Sequence, residues 1–170
     1  MRLYLVRHAL AVPRGTPGYA RDAQRPLTDE GREQARSVGD GLKRLKVGAG
    51  TLVLTSPYAR AAQTAEAIVK ACDVRAPLAE LPDLRPETPP QETSRALAAF
   101  ASYDQLVLVG HEPHMSAWLG ELIAGPHGLR CLFKKAGVAC VEVERVPPPS
   151  GSGILRWFLT PKQLALLAKS

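Results

Sequence analysis

The chain has 170 residues, of which 45% are hydrophobic, and this is enough apolar material for one core of ordinary size. No stretch approaches the roughly 20 consecutive apolar residues that a membrane span requires, and the amino terminus lacks a signal-peptide pattern. The formal net charge of +6 is compatible with an anionic partner, although the scattered basic residues fit a solvated surface equally well. We therefore expect a single domain over residues 1–170 that lies in the cytoplasm and does not enter a membrane.

Neither nucleic acid nor a metal ion is favoured as a partner by the composition. Only 5% of the residues are aromatic, and no RNA-binding motif is present. The three cysteines, Cys72, Cys131 and Cys140, are widely spaced and lack a C-x-x-C pair or a matching histidine cluster. This pattern predicts neither a disulfide framework nor a zinc site, and we expect no metal or other cofactor.

Three short runs rich in leucine and valine predict buried strands. They are "RLYLVR" at residues 2–7, "TLVLT" at 51–55 and "QLVLVG" at 105–110. Continuous apolar runs of this length are typical of strands that are covered on both faces.

Helical patterns follow each of these strands. Thr28 is expected to cap the first helix, which begins in "RPLTDEGREQA". The second strand leads into "SPYARAAQTAEAIVKAC", with Ser56 predicted as the cap and Pro57 as the first helical residue. The third leads into "HEPHMSAWLGELIAG", which Gly125 is expected to end, and a shorter helix near residues 92–103 precedes that strand.

The pattern changes beyond Lys135. There "GVACVEVE" alternates, "PPPSGSG" is rich in turn residues, "ILRWFL" resumes a strand and "TPKQLALLAKS" has a Thr-Pro helix start. These segments predict a hairpin at the sheet edge and a terminal helix. Because strands alternate with helices elsewhere, the predicted fold class is a three-layer α/β/α domain, with a mostly parallel sheet and an antiparallel edge.

Cationic and imidazole side chains occur where each of the three strands ends. In sheets of this kind the ligand crevice lies outside the carboxyl ends of the strands. The first strand ends at Arg7 and His8, the second places Arg60 in the first turn of the next helix, and the third ends at His111. A lone histidine or arginine at such a position is usually structural. Their coincidence at three strand ends favours a site for a phosphate group.

Four segments in order resemble the motifs of a known family. These are "LVRHA", "RPLTDEGREQA", "SPYARAAQTA" and "LVGHEPHM", and they resemble the histidine phosphatase superfamily and, within it, the small SixA-like phosphohistidine phosphatases. The resemblance implies a phosphoglycerate mutase-like fold and a metal-independent phosphatase. Ala9 stands where the superfamily more often has glycine. Residues 69–106 also leave little room for the helical insertion of the mutase-like members, which carries an acid that protonates the leaving group.

The residues and the resemblance together predict a mechanism. A histidine attacks phosphorus only as neutral imidazole, and nearby arginines lower its pKa from the usual value of about 6.5. We expect His8 to take the phosphoryl group, Arg7 and Arg60 to hold its oxygens, and His111 to donate a further hydrogen bond. Arg25, just before the first helix, is a further candidate for substrate binding.

The sequence does not identify the acid that protonates the leaving group. Glu80, Asp83 and Glu87 lie in one loop, and each is a candidate. The imidazole of phosphohistidine departs more easily than an alkoxide and needs such an acid less, which favours phosphohistidine in a protein as the substrate. A small phosphate ester is the alternative substrate, and a phosphate-binding module with little turnover is the alternative function. The oligomeric state is not predicted.

Overall fold

A single mixed β-sheet runs through the chain in the computed structural model, which describes residues 1–169. The strands within that range are β1 (Arg2–Arg7), β2 (Thr51–Thr55), β3 (Ala79–Glu80), β4 (Gln105–Gly110), β5 (Val138–Glu142) and β6 (Ile154–Leu159). Their spatial order is β3-β2-β4-β1-β5-β6. Strands β1 to β4 pair in parallel, whereas β5 and β6 run antiparallel and form the predicted hairpin at one edge. The three strands predicted from the apolar runs are confirmed with their bounds.

Helices cover both faces of this sheet. They are α1 (Asp29–Arg44), α2 (Ala59–Ala71), α3 (Pro90–Ala96), α4 (His114–Ala124) and α5 (Pro161–Lys169), and short 3-10 segments lie at Asp22–Gln24, Pro82–Leu84, Leu97–Phe100 and Gly125–His127. Helix α1 packs against α2 and α5, and α3 packs against α4. The predicted three-layer α/β/α class is thus confirmed. None of the helices within residues 1–169 is long and apolar enough to cross a membrane.

Alternation along the central strands divides the core into two halves. In β1, Tyr4 and Val6 point to the side of α1, α2 and α5, whereas Leu3 and Leu5 point to the side of α4. Strands β2 and β4 follow the same alternation, with valines on the first side and leucines on the second. Because both faces are buried, the strands read as continuous apolar runs, and the parallel strands all present their carboxyl ends at one edge.

The start of α1 agrees with the prediction and also fixes the loop after β1. The Gly31 N–H donates to Thr28 Oγ1 at 3.0 Å, so Thr28 is the N-cap. A side chain at Gly31 would place its Cβ 1.9 Å from the carbonyl oxygen of Leu10. Glycine at this position therefore lets the first turn of α1 press against the backbone that follows His8.

The start of α2 differs from the prediction. The helix begins at Ala59 with Tyr58 at the N-cap, so the expectation of Ser56 as the cap and Pro57 as the first helical residue is wrong. The physical reason is that the Ser56 hydroxyl lies 2.8 Å from Nε2 of His111, which directly follows the neighbouring strand β4. A partner distant in the chain thus engages the hydroxyl that the local pattern assigned to the helix.

Several smaller differences lie between β2 and β5. The loop that holds the predicted acids contains the two residues of β3 and a 3-10 turn. The helix expected near residues 92–103 begins at Pro90 and continues after Ala96 as a 3-10 segment to Phe100. Helix α4 ends at Ala124 and Gly125 is its C-cap, as predicted; the φ of Gly125 is 61°. The terminal helix is confirmed over Pro161–Lys169, and Ser170 lies outside the described residues.

Candidate active site

The carboxyl ends of β1, β2 and β4 surround one cavity of about 210 Å³, here called the histidine cavity. It contains all five residues that the sequence predicted for the site. Its lining consists of Arg7, His8, Ala11, Arg14, Arg25, Arg60, Pro86, His111, Glu112 and Lys135. The rings of His8 and His111 lie with their centroids 5.0 Å apart, so the two histidine motifs meet directly.

His8 is buried, and hydrogen bonds define its tautomer. Its Nδ1 lies 2.7 Å from the carbonyl oxygen of Ala9, which can only accept, so Nδ1 carries the proton. The other nitrogen, Nε2, accepts a hydrogen bond from Arg60 Nε at 3.1 Å. Burial, followed by the charges of Arg60, Arg7 and Lys135, lowers the pKa of His8 to about 3, although the bond to Ala9 opposes this. At neutral pH the ring is uncharged and Nε2 keeps its lone pair.

Arg60 is held in place by Asp22, a residue that no sequence pattern predicted for the site. Arg60 Nη2 lies 2.9 Å from Asp22 Oδ2, and Nη1 donates to the Asp22 backbone carbonyl at 2.8 Å. The other carboxylate oxygen, Oδ1, accepts from Arg25 Nη2 at 2.7 Å and from Arg14 Nε at 3.0 Å. Arg25 also donates to the carbonyl of Val12. One carboxylate therefore gathers three guanidinium groups beside His8.

The charge of Asp22 is secure at any pH near neutrality. Burial raises its pKa, but the hydrogen bond from Arg25 and the charge of Arg60 outweigh burial and bring the pKa down to about 2. In the sequence, Asp22 is an ordinary acidic residue of a polar loop. The one local signal is its position three residues before Arg25, within reach of an ion pair across the 3-10 turn.

Arg7 is fixed by a turn that precedes β5. Its Nη1 donates to the carbonyl of Phe133 at 2.5 Å, and its backbone N–H donates to the carbonyl of Gly137 at 3.1 Å. The Ala136 N–H in turn lies 3.1 Å from the Arg7 carbonyl and 3.2 Å from that of His8. The turn thus ties the end of β1 to β5 and brings Lys135 to the rim of the cavity.

His111 is oriented by Ser56, the second residue whose role the sequence did not reveal. The His111 Nε2 lies 2.8 Å from Ser56 Oγ, and the His111 ring lies against that of Tyr58 at a centroid distance of 4.9 Å. Burial, followed by the charges of His8 and Arg60, lowers the pKa of His111 to about 2. The buried Nδ1 has no hydrogen-bond partner among the described residues. The bond to Ser56 therefore fixes the orientation of the ring through Nε2.

A wider groove of about 900 Å³ adjoins the histidine cavity and shares Arg14, Arg25 and Pro86 with it. We call it the loop groove because the loop over residues 14–20 forms much of its wall; Tyr58 and Glu87 also line it. A group bound at His8 can therefore carry a much larger molecule that extends into this groove.

The three acids predicted as proton donors do not lie in the histidine cavity. Glu80 is exposed on β3, Asp83 is half-buried in a 3-10 turn, and Glu87 is exposed in the wall of the loop groove. A fourth acid, Glu112, lines the cavity itself. Within residues 1–169 no cluster of histidine, cysteine and acidic side chains is arranged to hold a metal ion. All three cysteines are free thiols.

Comparisons with known sequences identify relatives over most of the chain. The family model for the histidine phosphatase superfamily (branch 1) matches residues 3–86. An uncharacterised protein of Picosynechococcus sp. is 34% identical over 144 residues, which is 81% of this chain and 82% of that one. The phosphohistidine phosphatase SixA of Escherichia coli is 27% identical over 168 residues, 98% of each chain.

Solved structures give the same picture for the fold. The protein histidine phosphatase SixA with bound tungstate matches with a TM-score of 0.82 and 28% identity, over 96% of this chain and 99% of that chain. The α-ribazole phosphatase of Shigella flexneri matches with a TM-score of 0.71 over 95% and 97% of the two chains. Its identity is 19%, so this second likeness concerns the fold alone.

Proposed function

The chain belongs to the histidine phosphatase superfamily and is a phosphatase, and we propose that it removes phosphate from phosphohistidine in a protein, with His8 as the nucleophile. The observation that carries this proposal is the tautomer of His8. Because Ala9 holds the proton on Nδ1, the lone pair of Nε2 faces the arginines that would bind the phosphoryl oxygens.

The reaction proceeds in two displacements. His8 Nε2 attacks phosphorus, and the new N–P bond forms as the bond to the leaving group breaks. Water then attacks the phosphohistidine, the N–P bond breaks, and His8 is restored with inorganic phosphate as the product. In the resting protein the Arg60 Nε–H occupies the Nε2 lone pair, and an arriving phosphoryl oxygen takes over this hydrogen bond.

Positive charge and fixed donors supply the stabilisation that the transition state requires. Arg60 and Arg25 are already positioned by Asp22, and Arg7 reaches the cavity from the end of β1. His111 lines the same cavity and adds a hydrogen-bond donor in the proposed mechanism. Phosphoryl transfer depends mainly on positioning and electrostatics, so these groups suffice without a metal ion in the proposed mechanism.

Access to the site supports a protein as the substrate. Residues 72–104 form β3, α3 and short 3-10 turns, with no helical cap over the histidine cavity. The loop groove leaves room for residues of a substrate protein that flank its phosphorylated side chain. The relatives named as phosphohistidine phosphatases match over nearly the full length of the chain, and one of them binds tungstate, a tetrahedral oxyanion like phosphate.

The test compares turnover of a phosphohistidine peptide and a phosphoserine peptide of the same sequence, in the presence of a chelator. We expect the wild type to hydrolyse the first much faster, and His8→Ala to lose about 10³-fold or more in kcat/KM while keeping its circular dichroism spectrum. Loss of activity in the chelator, or near-normal turnover by His8→Ala, contradicts the proposal. If only sugar or nucleotide phosphates are hydrolysed, the substrate is a small phosphate ester and not a phosphorylated protein. Tight phosphate binding without turnover indicates a binding module.

A further inference from the structure

Among the described residues that line the histidine cavity, Glu112 alone carries a carboxyl group. We propose that Glu112 is the acid that protonates the leaving group, an inference that rests on the proposed function. It assigns a role that none of the acids in the loop after α2 fills, because none of them lines this cavity.

The position of Glu112 is fixed from two sides. Glu112 directly follows His111, whose ring contacts that of His8. The Glu112 backbone therefore lies beside His111, just past the end of β4. On its other side Ser116 Oγ, one turn further along the chain, donates to Glu112 Oε1 at 2.8 Å. The carboxyl group of this half-buried residue is therefore held at the wall of the cavity.

The surroundings of Glu112 favour a carboxyl group that can exchange a proton. Burial raises its pKa, whereas the hydrogen bond from Ser116 and the charge of Arg7 oppose this rise. The other titratable neighbours are Cys131, which interacts electrostatically with Glu112, and Lys135 at the rim. When a phosphoryl dianion occupies the cavity, its negative charge repels the carboxylate and shares the charge of Arg7. Both effects raise the pKa of Glu112 further.

The proton inventory closes over the two displacements. In the first, the N–P bond to His8 Nε2 forms, the bond from phosphorus to the leaving oxygen or nitrogen breaks, and the Glu112 proton moves to that atom. The product leaves neutral, and Glu112 remains as a carboxylate. In the second displacement the carboxylate takes a proton from the attacking water, the P–O bond forms and the N–P bond breaks. Glu112 is then protonated again for the next cycle.

Glu87 is the strongest rival because it lies in the loop groove next to the cavity. Its side chain is exposed, however, and only its neighbour Pro86 reaches the histidine cavity. Glu87 therefore serves as the matched control, since the same Glu→Gln change is made just outside the cavity.

The experiment measures kcat/KM for aryl phosphates whose leaving phenols differ in pKa. An acid matters most for a poor leaving group, so Glu112→Gln should lose about 10²-fold on phenyl phosphate and less than about threefold on 2,4-dinitrophenyl phosphate. Glu87→Gln should leave both rates within about twofold of the wild type. In addition, the wild-type rate on phenyl phosphate should fall as pH rises through the pKa of Glu112, and this limb should be absent in Glu112→Gln.

Each other outcome overturns the assignment. An equal loss on all esters makes Glu112 a structural or binding residue, and no loss makes it a bystander. If Glu87→Gln loses much more activity on phenyl phosphate than on 2,4-dinitrophenyl phosphate, Glu87 is the acid instead. An enzyme that hydrolyses the phosphohistidine peptide but no ester lacks an acid that can assist an oxygen leaving group. The His8→Ala variant, measured alongside on 2,4-dinitrophenyl phosphate, separates these failures from a failure of the proposed function, because only the latter leaves that variant active.

Discussion

The two sides of the histidine cavity are built differently. On one side Arg60 and Arg25, with 3% and 11% of their side chains exposed, are joined through Asp22, and we call this the clamped side. On the other side lie Arg7 and Glu112, both half-buried, and the exposed Lys135, and we call this the open side. The clamped side has its charges paired before any ligand arrives, whereas on the open side no described carboxylate forms an ion pair with Lys135.

This contrast separates two tasks of a phosphatase. Donors that are fixed in advance stabilise developing charge without reorganisation at the moment of reaction, which suits the clamped side for holding the phosphoryl oxygens. Proton transfer requires a group whose charge changes during the cycle, which suits the open side and Glu112. The loop groove adjoins the clamped side, where it shares Arg14 and Arg25 with the histidine cavity.

The largest effect should come from Arg60, which touches the nucleophile itself. Arg60→Ala removes a donor that is fixed against His8 Nε2, so kcat/KM on the phosphohistidine peptide should fall about 10³-fold. Arg14→Ala is the control, because Arg14 contacts the same carboxylate with 80% of its side chain exposed. That variant should stay within about threefold of the wild type. Similar losses in both variants would show that the clamped side acts only through its total charge.

Asp22 should have the next largest effect, although we do not expect it to contact the substrate. Asp22→Asn keeps the shape of the side chain but removes the charge that gathers the guanidinium groups, and kcat/KM should fall about 10- to 100-fold. Most of the loss should appear in kcat, since the arginines remain present but are less well placed. Asp40→Asn, an exposed change on α1, should have no effect. An Asp22→Asn variant with normal kcat would break the distinction between the two sides.

His8 lies between the two sides, and its burial predicts how stability depends on pH. Its pKa is about 3 in the folded protein but about 6.5 when unfolded, so below pH 6.5 the unfolded state binds more protons. The contribution of His8 to the free energy of unfolding is fully present above that pH. It is lost as pH falls toward 3, by up to about 1.4 kcal/mol per pH unit. Urea unfolding at pH 7.5, 6 and 5 should show a shallower decline in His8→Gln than in the wild type. Equal slopes would mean that His8 titrates normally in the folded state.

The smallest effect concerns Lys135. Its ammonium group stands at the rim without an ion pair among the described residues, so Lys135→Gln should raise KM about threefold at low salt and leave kcat unchanged. Added salt should reduce this difference, because exposed charges are screened. Lys134→Gln is the matched control, since Lys134 is the adjacent exposed lysine and does not line the cavity. Equal changes in both variants would assign the effect to general surface charge.

Much of the architecture could be predicted because it depends on short-range patterns. The bounds of β1, β2 and β4 follow from apolar runs that end abruptly, and the strand ends bring Arg7, His8 and His111 together once the sheet is parallel. Arg60 follows from its place at the start of α2, one turn from a strand end. In each case the sequence neighbourhood of the residue contains the information.

The residues that the sequence did not reveal depend on partners distant in the chain. Asp22 is defined by Arg60, 38 residues away, and Ser56 by His111, 55 residues away. Locally, Ser56 followed by Pro57 fits a helix cap, and the contact with His111 overrides that pattern. Glu112 lies inside the segment "LVGHEPHM", but its proposed role depends on whether the side chain turns toward the cavity, which spacing alone does not determine.

The central claim is that the phosphoryl group passes through His8. The most direct measurement is rapid chemical quenching of the wild type with a phosphohistidine peptide, followed by peptide mapping of the protein under alkaline conditions. We predict an acid-labile, base-stable phosphoryl group on Nε2 of His8 that forms and decays at rates compatible with turnover. A phosphoryl group on any other residue, or multiple turnovers with His8 never labelled, would contradict the account.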